Sequence, residues 1–402
     1  MQNEIHVKSG PVEVRGFRFS GVSAGLKTAA GAKDLGLIVA DAPCAATAVF
    51  SANRVKAAPI YVTMERIKSG RLQAVVANSG CANSFTGKPG LKLARESCGL
   101  VAHAIGCDAK LIVPSSTGVI GHLYDLQKFG AGVRTAANQL RADAMEDFAR
   151  AVMTTDTHPK MFSTRVRFAG TEATVAGVAK GSGMISPRMA TMLAYLVTDA
   201  AVSPPQLRTA LRAALPNSFN AVTVDGDMST NDTVILMASG AAGNRALSRR
   251  DLEAFNAGVA AVCASLAREL VYDGEGATKL VTIEVTGAKS PADAERCARQ
   301  IANSPLVKTA FFGCDPNVGR ILMAAGSSGA VVESDRLVLT IAGVKVASRG
   351  ALLVDALPAA AEKMRAREFT VNLDLKLGRA SATILTCDLS YDYVKINAEY
   401  TT

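Results

Sequence analysis

Hydrophobic residues along the chain follow two different spacings, which predicts a mixture of strands and helices. Uninterrupted apolar runs, typical of buried strands, occur at 35–40 and 74–77, and Met192–Val197 fits either a buried strand or the start of a helix. Apolar and polar residues alternate in three later segments, which predicts half-buried strands at 281–285, 337–341 and 369–375. A turn at 376–380 then leads into a further strand at 381–388.

Helical spacing of apolar residues predicts three helices. One spans 136–153, one spans 206–215 after a pair of prolines, and one begins after Ser248. Ser248 is followed three residues later by Asp251, which is typical of a helix start. The chain has no internal repeat, low-complexity stretch or long Pro/Gly linker. These patterns together predict a mixed α/β (α+β) protein.

The composition is that of a globular protein. With 402 residues, 49% of them hydrophobic and 20% charged, the chain is long enough to bury a substantial core. No uninterrupted apolar run approaches the ~20 residues that a membrane-spanning helix needs. The first residues lack the basic-then-apolar profile of a secretory signal. We therefore expect a cytoplasmic protein with no membrane partner.

Charge, cysteine and histidine usage narrow the classes of partner. The net charge is +9, but Lys and Arg are scattered and aromatic residues make up only 5%, so we expect no nucleic acid partner. The eight cysteines form no Cys-x-x-Cys pair and only four histidines are present, so we expect neither a metal site nor disulfides. The acidic segment 225–232 resembles a calcium loop, but its twelfth position is Leu236, so a hydrogen-bonding scaffold is favoured.

The most informative segment surrounds the Ala190–Thr191 bond. A turn rich in Gly, Ser and Pro leads from Lys180 to a small residue and a threonine, directly before the apolar run at 192–197. Cleavage before Thr191 would give that residue a free α-amine, with a pKa near ~8, beside its own hydroxyl. Nucleophile and base would then belong to one residue. An ordinary turn before a buried element is the alternative.

Eight motifs in one order give the chain a family resemblance: 16–58, 116–121, 153–160, 180–200, 218–232, 271–279, 315–320 and 391–402. They resemble the ornithine acetyltransferase family, the bifunctional glutamate N-acetyltransferases of arginine biosynthesis. The resemblance implies layered sheets with flanking helices, as in the self-processing aminopeptidase superfamily. It also implies transfer of an acetyl group from N-acetylornithine to glutamate, and leaves open whether acetyl-CoA is a second donor.

The same resemblance implies the catalytic residues. Thr191 is the expected nucleophile, and autocleavage at Ala190–Thr191 gives an α chain, 1–190, and a β chain, 191–402, packed as one catalytic unit. Thr117 and Gly118 are the expected oxyanion hole, because a hydroxyl and a backbone N–H are suitable donors to a developing oxyanion. No cofactor is expected. The expected assembly is a heterotetramer, a dimer of cleaved α/β pairs.

Substrate contacts are implied for Thr191 and for five further residues: Thr154, Lys180, Glu275, Asn397 and Thr402. Lys180 suits the α-carboxylate of either substrate, and Glu275 suits the cationic amine of ornithine or the proton of the reacting amine. Thr155 competes with Thr154 for the same role. From spacing alone, solvated loop residues would be favoured at both Lys180 and Glu275.

The chain departs from the family pattern at Cys81, Ser84-Phe85, Arg188 and Val318, which leaves the preferred acyl acceptor open.

Three alternatives to acetyl transfer in arginine biosynthesis remain open. One is a self-processing amidase or aminopeptidase with water as acceptor, although those relatives generally use serine. The second is an acetyltransferase of a divergent specialised pathway. The third is a non-catalytic binding protein whose chain stays uncut.

Overall fold

The computed structural model describes residues 5–168, 170–186 and 192–399. Strands and helices alternate along the chain, as the two hydrophobic spacings predict. The described strands are β1 (Val7–Ser9), β2 (Phe17–Val22), β3 (Leu35–Phe50), β4 (Arg71–Asn78), β5 (Ile112–Ser116), β6 (Lys160–Phe168), β7 (Thr171–Lys180), β8 (Leu193–Thr198), β9 (Thr233–Ala238), β10 (Leu280–Ala288), β11 (Val338–Ile341), β12 (Val344–Ser348), β13 (Ala351–Leu352), β14 (Glu368–Asp374) and β15 (Ala380–Cys387).

The described α-helices are α1 (Ala58–Arg66), α2 (Gly87–Ile105), α3 (Leu126–Asn138), α4 (Met145–Val152), α5 (Pro204–Ala214), α6 (Arg249–Tyr272), α7 (Pro291–Asn303), α8 (Pro305–Phe312), α9 (Val318–Gly326), α10 (Leu357–Lys363) and α11 (Tyr391–Glu399). Local sequence explains several starts. Pro204 opens α5, and Ser248 caps α6 by accepting the Asp251 N–H while Asp251 accepts the Ser248 N–H in return.

A large mixed sheet forms the centre of the molecule. Nine of the described strands belong to it, in the order β1-β6-β7-β8-β9-β3-β4-β5, with β2 paired to β3. The pairs β4–β5 and β8–β9 are parallel, and the other pairs are antiparallel. Every residue of β8 and β9 is buried because helices cover both faces there, which explains their uninterrupted apolar sequences.

A smaller sheet follows in the C-terminal part of the chain. Its strands, among the residues described, have the order β13-β12-β11-β14-β10-β15. Helices α7, α8, α9 and α10 contribute to the core on this sheet. The alternation predicted at 281–285, 337–341 and 369–375 corresponds to β10, β11 and β14, whose inward residues are buried. The predicted α/β class with layered sheets and flanking helices is confirmed.

Helix α6 packs between the two sheets. It contacts β6 and β7 of the large sheet and β15 of the small one. By length and composition alone it is the described helix that is apolar enough to cross a membrane, a weak criterion that core helices also meet. Its residues Phe255, Val259 and Leu266 are fully buried in the core against the large sheet.

The prediction of one helix over 136–153 is wrong. The chain forms α3 and α4 instead, separated by residues 139–144. Arg141 exchanges two backbone hydrogen bonds with Phe19 in β2, 2.8 and 3.0 Å long, and this bridge interrupts the helix. Tertiary pairing therefore overrides a helical pattern that the sequence supports locally. The buried run at 192–197, left open between strand and helix, is strand β8.

Several chain segments converge at one end of the large sheet. Strand β7 ends at Lys180, which pairs with Leu193 at the start of β8. Leu193 in turn pairs with Thr233 at the start of β9. Strand β5 ends at Ser116, directly before Thr117. The loops that follow α4 and α6 reach the same end, where the Thr155 hydroxyl donates to Glu275.

Candidate functional site

A buried lysine lies at the centre of the candidate site. Lys180 is 3% exposed, and its Nζ donates to Thr154 Oγ1 at 2.7 Å and to Thr117 Oγ1 at 3.2 Å. Burial lowers the pKa of Lys180, while the negative charge of Asp156 opposes that shift. An ammonium group has three N–H bonds. Among the described residues two of them have hydrogen-bond acceptors, which leaves one for a ligand.

The Thr117–Gly118 turn is fixed by its neighbours. The Thr117 N–H donates to the Asn78 carbonyl at 3.0 Å. Gly118 has φ +124°, and a Cβ there would lie 2.4 Å from the Gly80 carbonyl carbon, so no other residue fits. Asn231 Nδ2 donates to the Ser116 carbonyl at 2.7 Å. The turn is therefore held rigidly beside the Lys180 ammonium.

Two lysines and two aspartates form a buried group that we call the lysine cluster: Asp156, Lys160, Lys180 and Asp273. Lys160 Nζ donates to Asp156 at 2.7 Å and to Asp273 at 2.5 Å, and the side chains of these three residues are at most 3% exposed. Asp156 also accepts the backbone N–H groups of Thr154 (2.9 Å) and Gly181 (2.6 Å). Burial by itself would raise the pKa of Asp156. The positive charges of Lys160 and Lys180 outweigh burial and hold that pKa well below its usual range.

The C-terminal helix contributes to a second side of the site. Glu275, 8% exposed, accepts hydrogen bonds from Thr155 Oγ1 at 2.7 Å and from Asn397 Nδ2 at 2.8 Å. The Thr155 hydroxyl also contacts Ser182 Oγ at 2.7 Å. Thr154 and Thr155, which the sequence leaves as rivals, therefore lie on different sides of the site. Thr154 contacts the lysine and Thr155 contacts the glutamate.

Asp225 ties this side of the site to the segment that precedes the Ala190–Thr191 bond. It accepts the backbone N–H groups of Met184 (2.6 Å) and Ile185 (2.9 Å) and, at 3.4 Å, the Tyr393 hydroxyl of α11. Burial raises the pKa of Asp225 to about 6. Asp225, Glu275, Tyr393 and Asn397 are called the tail contact below. Within the described ranges no group of three His, Cys, Asp or Glu side chains is arranged to hold a metal ion.

A second buried carboxyl lies at the start of β8. Asp232 is fully buried, and its Oδ1 accepts the Met192 N–H at 3.1 Å. Its Oδ2 has no hydrogen-bond partner in the described part of the chain. Burial raises the pKa of Asp232 well above its usual range, and the hydrogen bond from the Met192 N–H only partly opposes the shift. Asp232 therefore holds the backbone of Met192, the residue that follows the predicted nucleophile Thr191 in the sequence.

Comparison with known proteins identifies the family. The model of the ArgJ family matches residues 18–402. The chain belongs to the ArgJ family. The arginine biosynthesis bifunctional protein ArgJ of Geobacter sulfurreducens is 50% identical over 394 residues, which cover 97% of this chain and 100% of that protein. The protein of the same name from Symbiobacterium thermophilum is 45% identical, covering 96% and 97%. The prediction of an enzyme, an acetyltransferase of arginine biosynthesis, is confirmed.

Part of the chain is also similar to a solved ArgJ structure. The crystal structure of ArgJ from Bacillus halodurans is 39% identical and covers 51% of this chain and 98% of that chain, with a TM-score of 0.49.

Not every predicted site residue can be placed. Ala190, Thr191 and Thr402 lie outside the described residues, as does Arg188. Thr117, Gly118, Thr154 and Lys180 lie together on one side of the site, and Glu275 and Asn397 lie together on the other. Of the departures from the ArgJ family pattern, Cys81 is buried against the Thr117–Gly118 turn and Val318 is buried in α9. Phe85 is 81% exposed and has φ +56°.

Sequence reasoning missed the residues that hold the others in place. Asp156, Lys160 and Asp273 have no short-range pattern that marks them, because Lys160 and Asp273 are 113 positions apart. Asn231 and Asp225 belong to the segment predicted as a hydrogen-bonding scaffold, and their contacts with the Ser116 carbonyl and with Met184 are of that kind. The one available signal for Asp156 was its position in the 153–160 motif.

Proposed function

We propose that this protein transfers an acetyl group from N-acetylornithine to glutamate, after it has cleaved itself at Ala190–Thr191. The observation that carries the proposal is the buried Lys180 ammonium, which contacts both Thr117 and Thr154 and lies close enough to Glu275 to feel its negative charge. A desolvated cation on one side matches a substrate carboxylate, and a carboxylate on the other matches the ornithine amine. A hydrolase acting on uncharged amides would not need both.

The proposed reaction has two halves. The Thr191 hydroxyl oxygen attacks the acetyl carbonyl of N-acetylornithine, the C–N bond breaks, and ornithine leaves with the hydroxyl proton as a free amine. The amine of glutamate then attacks the acetyl-Thr191 ester, the C–O bond breaks, and the proton returns to the threonine oxygen. Thr117 and the Gly118 N–H stabilise the oxyanion in both halves. No cofactor or metal takes part, and acetyl-CoA is a candidate second donor.

The proposal extends to assembly and location. We place the mature protein in the cytoplasm as a dimer of cleaved pairs, each made of 1–190 and 191–402 packed as one catalytic unit. Before cleavage the α-amine of Thr191 is part of a peptide bond and cannot act as a base. The uncut chain is therefore an inactive precursor.

The decisive experiment compares the wild-type protein with Thr191→Ala. On a denaturing gel the wild type is expected to give two fragments that meet at Ala190/Thr191, and the variant a single chain. Acetyl transfer from N-acetylornithine to glutamate is expected for the wild type alone. Full activity in the variant would refute the nucleophile. Release of acetate with equal rates in the presence and absence of glutamate would favour the amidase instead.

A further inference from the structure

Lys27 is held in place next to the candidate site by a buried aspartate. Asp34, 0% exposed, accepts the backbone N–H groups of Ala24 (2.6 Å), Leu26 (2.6 Å) and Lys27 (3.0 Å). The Asp34 carbonyl also accepts the Ser79 N–H at 2.9 Å, which fixes this segment to the end of β4. The backbone of Lys27 therefore has a defined position relative to the large sheet.

The backbone at Gly80 lies between the side chain of Lys27 and the turn formed by Thr117 and Gly118. A Cβ added to Gly80 would lie 3.1 Å from Lys27 Cγ and 2.9 Å from the Leu26 carbonyl oxygen. A Cβ added to Gly118 would lie 2.4 Å from the Gly80 carbonyl carbon. Lys27, Gly80 and Gly118 are thus stacked in that order. The close approach of the three segments requires glycine at both positions.

The ammonium of Lys27 belongs to the electrostatic environment of Lys180. Burial lowers the pKa of Lys27, and the charge of Lys180 lowers it further, whereas Asp34 and Asp156 raise it. Its Nζ donates to an uncharged acceptor, the Lys33 carbonyl, at 2.9 Å. Within the part of the chain that the structure describes, this leaves N–H bonds for a ligand. Two like charges that lie near each other at a site favour a ligand with more than one negative charge.

We propose that Lys27 is a specificity-determining residue that binds the side-chain carboxylate of the glutamate acceptor. The inference rests on the proposed function. Both substrates carry an α-carboxylate, for which Lys180 is suited, but only glutamate carries a second carboxylate. Ornithine has an amine in its side chain, for which Glu275 is suited. The two substrates are then distinguished by side chains of opposite charge, each with its own partner.

The test measures acceptor preference in the cleaved, full-length enzyme. Glutamine has the shape of glutamate without the second charge, so the ratio of kcat/KM for glutamate to kcat/KM for glutamine reports on this contact. In Lys27→Gln the ratio is expected to fall about 10- to 100-fold, as for loss of a hydrogen bond between charged groups.

The matched control is Lys33→Gln. It removes a positive charge from the same loop, where the Lys33 ammonium pairs with Asp147, and should leave the ratio unchanged. An unchanged ratio in Lys27→Gln, in an enzyme that still transfers acetyl groups, overturns the proposal. If that variant does not fold, the acceptor preference of the wild type is measured instead. Equal use of glutamate and glutamine overturns the proposal. At least tenfold preference for glutamate, preserved in Lys27→Arg, supports it. Absence of any transfer by the wild type would instead refute the proposed function.

Discussion

The lysine cluster and the tail contact are two parts of the candidate site that differ in how they are built. The lysine cluster joins the ends of strands and the loops beside them, and its charged side chains are almost fully buried. The tail contact joins two loops to the C-terminal helix α11, and Asn397 and the outer face of that helix are exposed to solvent. One side is therefore part of the core, and the other is attached to it.

This difference assigns different tasks to the two sides. Two cations and two carboxylates compensate one another in the lysine cluster, so the removal of one leaves a buried charge without a partner. In the tail contact, α11 is attached through single hydrogen bonds of Tyr393 and Asn397, and the loss of one of these costs much less. We therefore expect changes in the lysine cluster to act on stability and on the geometry of the site, and changes in the α11 side chains of the tail contact to act mainly on substrate binding.

The largest effect is expected for Asp156→Asn. This change removes the carboxylate that compensates Lys160 and Lys180 without changing the size of the side chain. Breaking a buried ion pair costs about 3 to 5 kcal/mol, which should appear as a loss of unfolding free energy in urea titration. The Thr154 and Gly181 N–H groups also lose a charged acceptor. Acetyl transfer should therefore fall together with stability.

The control for this change is an ion pair at the surface. Arg249 pairs with Glu253 at 3.1 Å, but their side chains are 95% and 65% exposed. Arg249→Ala should leave the urea midpoint nearly unchanged, because solvent screens such a pair. If Asp156→Asn were as stable as Arg249→Ala, the lysine cluster would not be the supporting side of the site.

An intermediate effect is expected from the titration of Asp225. Its pKa of about 6 lies above the value of 3.8 for an unperturbed aspartate, so the native state binds this proton more tightly than the unfolded state. The contribution of Asp225 to the unfolding free energy is thus largest below about pH 4 and falls by up to about 3 kcal/mol as the pH rises through 6. The measurement is the difference in unfolding free energy between wild type and Asp225→Asn from pH 4 to pH 7.

The sign of that slope decides between two opposing influences. Burial favours the protonated carboxyl, whereas the N–H groups of Met184, Ile185 and Asp227 favour the carboxylate. A difference that decreases with pH shows that burial dominates. A difference that increases with pH would contradict the prediction and would make Asp225 a charged acceptor comparable with Asp156.

The sequence could predict the fold only where the signal is local. Regular patterns were sufficient for strands such as β10, β11 and β14, because one buried face produces a period of two residues. They failed at 136–153, where Arg141 pairs with Phe19 from a distant part of the chain. Helical spacing is a local signal, and the bridge that breaks the helix is not local.

The candidate site follows the same rule. Lys180, Glu275 and Asn397 were predicted from motifs, and the resemblance to a family supplied their roles. Asp156 and Lys160 lie in the 153–160 motif, but their supporting role was not predicted, since it depends on which other segments meet them in space. Their contacts with Asp273 and Gly181 could be found only from the fold.

The smallest effect is expected for Asn397→Ala in the tail contact. Asn397 donates to Glu275 at 2.8 Å, and Glu275 keeps its second donor, Thr155. The loss of one such hydrogen bond costs about 1 kcal/mol, which corresponds to roughly a fivefold rise in KM for N-acetylornithine with little change in kcat. Steady-state kinetics at varied donor concentration measure both. Lys395→Ala removes an exposed side chain from the same helix and should change neither constant. A loss of stability as large as that of Asp156→Asn would contradict the comparison, because the tail contact would then support the core rather than bind substrate.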